Sequence, residues 1–209
     1  MKYGILLYTD VEPIDVGATF GVLSMARRIV PKIEAIGIAR EAGLITCANG
    51  LQVIANHDFS SAPEIDALIV TGGPGWVQAA QDRVTCEYIR SFAEAQPDRV
   101  TSICTGAMIL DAAGLLAGRT VATKSRVYDG EISPTEILQA RNINSVDAGL
   151  VWSRGLLSSG GVTLGIDAMF ALLDTHHGSD VASTVASVME YDRALEANRH
   201  GKGHLMADA

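Results

Sequence analysis

The chain has 209 residues, enough for one domain, and a formal net charge of −8. Its basic residues are scattered, with no run longer than Arg27-Arg28, and no uninterrupted apolar run reaches about 18 residues, so neither a nucleic-acid surface nor a membrane span is expected. Three cysteines (Cys47, Cys86, Cys104) and five histidines make neither a disulfide framework nor a metal-ligand spacing; no metal or organic cofactor is expected, and the odd cysteine count suits a reducing compartment.

The opening "MKYGILLYTD" reads as a buried first strand. One lysine and a short apolar run meet Asp10 and Glu12 with no small-residue cleavage site, so it is no secretory leader, and a cytoplasmic location is the default expectation. "IDVGATFGVLSMARR" follows as an amphipathic helix, with Asp15 near its start, and "IEAIGIA" as another buried strand. "GLITCANGLQVIANHDF" predicts a hairpin turning at Asn49-Gly50, a two-residue turn signal. "DALIVTGG" is a strand running into glycines, residues 76–96 are helical, "RVTSIC" is a strand, and residues 105–113 are a helix. "TVATK" is a short strand; a helix begins near Ser133-Pro134, where proline suits a first turn. "VDAGLVWSRGLLSSGG" gives two strands around Arg154-Gly155. Two final helices are divided at Gly178, the second capped by Ser179. Residues 1–198 are expected to form one domain and 199–209 a polar tail that frays.

This alternation predicts an α/β fold, a mainly parallel sheet with helices on both faces. Ligands of such folds bind beyond the carboxyl ends of the strands, which puts Asp15, Gly72-Gly73-Pro74-Gly75 and Cys104-Thr105-Gly106 on one rim. Cys104 stands where a strand pattern changes to a helix pattern. Unpaired amides at a helix start favour a thiolate, so a nucleophile is expected there, with a buried structural cysteine as the alternative. Gly72 and Gly73 leave their amides clear of side chains; with the Thr105 amide they are candidates to bind a developing negative charge, or else form a plain turn. Asp15 is either a helix cap or, beside Cys104, a partner sharing a proton with the thiol and serving as general acid. His176-His177 read as helix-end residues, Trp76 as packing or a pocket wall, and "GGVTLG" (160–165) as a weak echo of a dinucleotide loop.

Three ordered stretches, "DALIVTGGPG", "SICTGAMILDAAGLLAGRTVAT" and "GLLSSGGVTLGIDAMFALL", resemble the ThiJ/PfpI superfamily (class I glutamine amidotransferase-like) over nearly the whole chain. The resemblance implies a flavodoxin-like three-layer sandwich, Cys104 on a nucleophile elbow and a homodimer. Asp15 after the first strand and Thr105 after the cysteine are similar to the isonitrile hydratase branch; the protease branch carries Cys-His, which Thr105 contradicts. That branch implies hydration of an isonitrile, a small-molecule substrate, to an N-substituted formamide through a cysteine thioimidate. Cys104, Asp15 and Thr105 would be catalytic, and the Gly72, Gly73 and Thr105 backbone would bind substrate. Where many relatives read "ATTHW", this chain reads "ATKSRVYDG": Lys124, Ser125 and Arg126 replace the usual His-Trp region, which leaves the pocket shape, the substrate and the entry of Lys124 or Arg126 into the pocket open. The same core occurs in AraC-type regulators, where a helix-turn-helix module would follow; none is read here. Amidase, glyoxalase or deglycase chemistry, and a non-enzymatic redox sensor or ligand-binding module, stay open as alternatives.

Overall fold

The computed structural model describes residues 1–207. In chain order the elements are β1 (Lys2–Leu6), α1 (Pro13–Ala26), β2 (Glu34–Ala39), β3 (Gly43–Thr46), β4 (Gln52–Ala55), β5 (His57–Asp58) and β6 (Ala67–Val70). There follow α2 (Trp76–Gln81), α3 (Arg83–Ala95), β7 (Val100–Ser102), α4 (Gly106–Ala112), β8 (Thr120–Ala122), α5 (Pro134–Ala140) and β9 (Asn144–Val146). The chain continues through β10 (Leu150–Ser153), β11 (Leu156–Ser159), α6 (Leu164–His177), α7 (Ser179–Val188), α8 (Asp192–Lys202) and β12 (His204–Ala207).

Eight strands form the central sheet in the order β12-β10-β11-β7-β6-β1-β2-β5. All neighbours are parallel except β10 and β11, the hairpin expected around Arg154-Gly155. Side chains alternate between the two faces of a strand, so a sheet covered on both sides needs unbroken apolar runs. Tyr3 and Ile5 of β1 and Ile69 of β6 accordingly join one core with Leu23, Met169 and Phe170, under α1, α6 and α7. Leu6, Leu68 and Val70 point the other way, into a core with Met108, Ile109 and Leu138 under α2 to α5. The result is a mainly parallel sheet with helices on both faces, as the alternation of elements predicts, and the flavodoxin-like three-layer sandwich that the family resemblance implies.

Several local expectations are corrected. The hairpin β3–β4 forms, but its loop spans residues 47–51 with a 3-10 turn at Ala48–Gly50, and it pairs only with itself, off the main sheet. Asn49 and Gly50 do take the left-handed conformation, with φ of 60° and 85°. The helix expected over 76–96 is broken at Asp82, whose carboxylate accepts the Thr85 amide at 3.1 Å and starts α3. Strand β8 leaves the main sheet to pair with β9, which the pattern did not signal. The last helix divides again at Glu190, with φ of 55°. Ser179 does not cap α7: Gly178 holds that position and the serine hydroxyl donates to Asp174 at 2.7 Å. Residues 200–207, expected to fray, complete α8 and add β12 to the sheet edge; residues 208–209 lie outside the described residues. No helix among the described residues is long and apolar enough to cross a membrane.

Candidate functional site

Strands β7, β6 and β1 are neighbours, and the chain reverses direction across the sheet between β6 and β1. Their carboxyl ends therefore open on a switch-point crevice, where open α/β sheets bind ligands. Cys104 follows β7 with φ of 54°, a left-handed conformation that is unfavourable for a residue with a Cβ. Thr105 occupies the position before α4, so strand, cysteine and helix form a sharp elbow. Two close contacts hold it. The Thr123 hydroxyl donates to the Cys104 carbonyl at 2.7 Å. A Cβ on Gly106 would lie 2.1 Å from the Val70 carbonyl oxygen, so only glycine lets the elbow lie against β6.

Asp15 is not a helix cap. Glu12 holds the cap position of α1 and Pro13 its first turn. The Asp15 carboxylate instead crosses to the loop after β6, where Oδ2 accepts the Gly72 amide at 2.7 Å. A Cβ on Gly72 would lie 2.9 Å from the Cys104 Cβ, so carboxylate and thiol flank one glycine. Asp15 is fully buried, and its Oδ1 has no hydrogen-bond partner among the described residues. Thr105 accepts the Gly73 amide at 2.8 Å through Oγ1, which also lies 3.2 Å from the Gly73 carbonyl. The expectation that the Gly72 and Gly73 amides face a ligand is thereby corrected: both are occupied, and they position Asp15 and Thr105 instead.

The electrostatics also differ from expectation. Burial, and after it the charge of Asp15, push the Cys104 thiol up to about 12; the Thr105 amide and the Lys124 ammonium oppose this only in part. The helix start does not win, because the sulfur is 3% exposed and shares its surroundings with a carboxylate. Burial lifts Asp15 to about 7, with the Gly72 amide and Lys124 pulling it down. With the thiol at about 12 and the carboxyl at about 7, the pair holds one proton, on sulfur, above neutrality and takes up a second below it. The Tyr8 phenol, raised by burial and then by Asp15, donates to the Thr71 carbonyl at 2.9 Å and stays neutral beside them.

Other candidates fall elsewhere. His176 and His177 both meet the Tyr3 hydroxyl, each at 3.0 Å, at the opposite end of β1. Trp76 opens α2 and packs in the core beneath that layer. Beside the elbow is a cavity of about 400 Å³ lined by Lys124 and Arg126, which the sequence singles out, and by the 160–164 loop and α8, which sequence reasoning missed. A Cβ on Gly161 would lie 3.3 Å from Cys104 Sγ and 3.0 Å from Lys124 Cγ, so the loop after β11 adjoins the sulfur. The rule that selected the ends of β6 and β7 applies equally to "GGVTLG" after β11; its likeness to a dinucleotide loop hid that.

Residues 1–175 match the DJ-1/PfpI family. The chain is 31% identical over 191 residues to isonitrile hydratase of Pseudomonas putida, covering 91% of this chain and 78% of that protein. It is 29% identical over 161 residues to the HTH-type transcriptional regulator GbdR of Pseudomonas aeruginosa, covering 75% of this chain and 41% of the regulator. Among solved structures, a ThiJ/PfpI family protein from Pseudomonas syringae matches with a TM-score of 0.78 at 22% identity, covering 91% of this chain and 75% of that one. Schizosaccharomyces pombe DJ-1 matches with a TM-score of 0.74 at 16% identity, over 90% and 98% of the two chains.

Proposed function

The chain belongs to the DJ-1/PfpI family, and from that footing we propose that it is an isonitrile hydratase in which Cys104 is the nucleophile and Asp15 its proton partner. The observation that carries this reading is the buried pair: a thiol on a strained elbow and a carboxylate with one unpartnered oxygen, both against Gly72. The likeness to isonitrile hydratase supports it independently.

The terminal carbon of an isonitrile accepts a nucleophile and a proton at the same atom. As the Cys104 proton passes to Asp15, sulfur forms a bond to that carbon, and Asp15 then delivers the proton to it. The product is a thioimidate, R–N=CH–S–Cys104. The Asp15 carboxylate next takes a proton from water as the water oxygen adds to the same carbon, and hands that proton to the nitrogen, giving R–NH–CH(OH)–S–Cys104. Collapse breaks the C–S bond, releasing the formamide R–NH–CHO and the sulfur, which recovers its proton through Asp15. One isonitrile and one water give one formamide. The Thr105 amide, whose influence favours the thiolate, steadies the negative charge as it forms and leaves. Thr105 Oγ1, held on Gly73, fixes the elbow.

Turnover of an aryl isonitrile to its formamide, read by chromatography, tests the reading. A mass adduct on the wild-type chain and none on Cys104→Ala is expected, with activity in the variant reduced at least 1,000-fold. Full turnover by Cys104→Ala overturns it; consumption of methylglyoxal in place of isonitrile selects glyoxalase or deglycase chemistry. A ligand-binding role without catalysis is the second reading, favoured by the likeness to GbdR. A thiol held protonated by burial and Asp15 is a poor peroxide sensor, which weighs against the redox form of it.

A further inference from the structure

The cavity beside the elbow has a charge that contrasts with the rest of the molecule. The chain carries a net −8, yet Lys124, Arg126 and Lys202 line this space with Asp147 as the sole carboxylate. Asp147 is already engaged: it pairs with the Lys202 ammonium and accepts the Ser125 hydroxyl at 2.7 Å. Neither Lys124 nor Arg126 forms an ion pair with a described residue. The first turn of α6 opens on the same space through Val162, Thr163 and Leu164, and amides at a helix start add to a positive field. Neither Cys104 nor Asp15 lines the cavity; Lys124 and Gly161 join it to them. The Lys124 charge acts on both acidic groups of the pair. Its side chain therefore stands between the reacting sulfur and a small, cationic chamber.

We propose that the substrate is an anionic isonitrile, one whose N-substituent carries a carboxylate that enters this chamber and is bound by Lys124, with Arg126 beside it. The isonitrile carbon then lies at Cys104 and its substituent runs past Gly161, where even a Cβ would lie 3.3 Å from the sulfur and 3.0 Å from Lys124 Cγ, so the flexible Lys124 side chain shifts to admit it. A carboxylate there pairs with a lysine that forms no ion pair with a described residue, whereas a neutral substituent leaves the positive charge of the chamber in excess. The proposal rests on the hydratase reading for its chemistry and on the chamber alone for its anion.

Isocyanoacetate and its methyl ester are the paired probes. The acid is expected to exceed the ester in kcat/KM at least tenfold, mostly through KM. Lys124→Met is expected to lower that acid-to-ester ratio about 10- to 100-fold, and Lys124→Arg, which keeps the charge, to restore much of it. A ratio at or below one in the wild type, or one that Lys124→Met does not change, overturns the proposal while leaving hydration intact. Binding of the product N-formylglycine to Cys104→Ser, measured by calorimetry, reads the chamber without turnover. Binding that needs Lys124 sustains the anion site even where neither isonitrile is hydrated, a result that would sink only the hydratase reading. No binding of N-formylglycine overturns the anion site itself.

Discussion

Asp15 sets the behaviour of the site at the scale of single residues. A carboxyl lifted from its ordinary value near 4 to about 7 binds its proton more tightly in the folded chain than in the unfolded one. The stabilisation from that proton is present at acid pH and is lost as pH rises from about 4 through about 7. Asp15→Asn removes the charge, so its Tm relative to the wild type should climb as pH goes from 4 to 8; a pH-independent difference in thermal melts refutes the assignment. The same substitution should lower kcat for isonitrile hydration by 10²- to 10⁴-fold, the range of a lost general acid–base group. In the wild type kcat/KM should fall as pH drops through about 7, where the pair takes up its second proton, and this limb should be absent from the residual activity of Asp15→Asn.

Among the secondary-structure elements, α5 shows how local rules fix a helix start. Ser133 accepts the Glu136 amide at 3.2 Å, Glu136 reaches back to the Ser133 amide at 2.8 Å, and Pro134 fills the first turn. Ser133→Ala should cost about 1 kcal/mol and lower Tm by roughly 2–4 °C in a calorimetric scan, with catalysis untouched. Signals of this kind made most elements legible: buried apolar runs for β1 and β6, Pro13 opening α1, and Arg154-Gly155 turning β10 into β11. Cys104, Thr105 and the glycine pair were legible as one rim because each directly follows a strand, and Asp15 because it opens the helix after β1. What stayed hidden depends on contacts distant in sequence. The pairing of β8 with β9 and the docking of β12 on β10 have no local signature. The Gly72 and Gly73 amides looked free because their acceptors lie 57 and 32 residues away. The thiol looked activated because a helix start is visible in sequence and burial is not.

At the scale of the molecule, α8 and β12 are an outer wall. No residue of α8 is buried, yet Asn198 donates to Asp167 at 3.2 Å and the Lys202 ammonium pairs with Asp147, fastening the helix across the chamber. A chain ended after Tyr191 should keep both cores and melt cooperatively, with Tm lower by roughly 5 °C, while its binding of N-formylglycine weakens; loss of cooperative melting would show that the wall is part of the core after all. The elbow has a wider consequence. Cys104 holds a backbone angle that glycine adopts freely and cysteine does not, at an expense on the order of 1–2 kcal/mol. Stability alone would thus fill position 104 with the residue that carries no sulfur. Selection for a sturdier protein and selection for a reactive one pull in opposite directions at this single site, so a lineage released from its substrate should drift toward glycine there first.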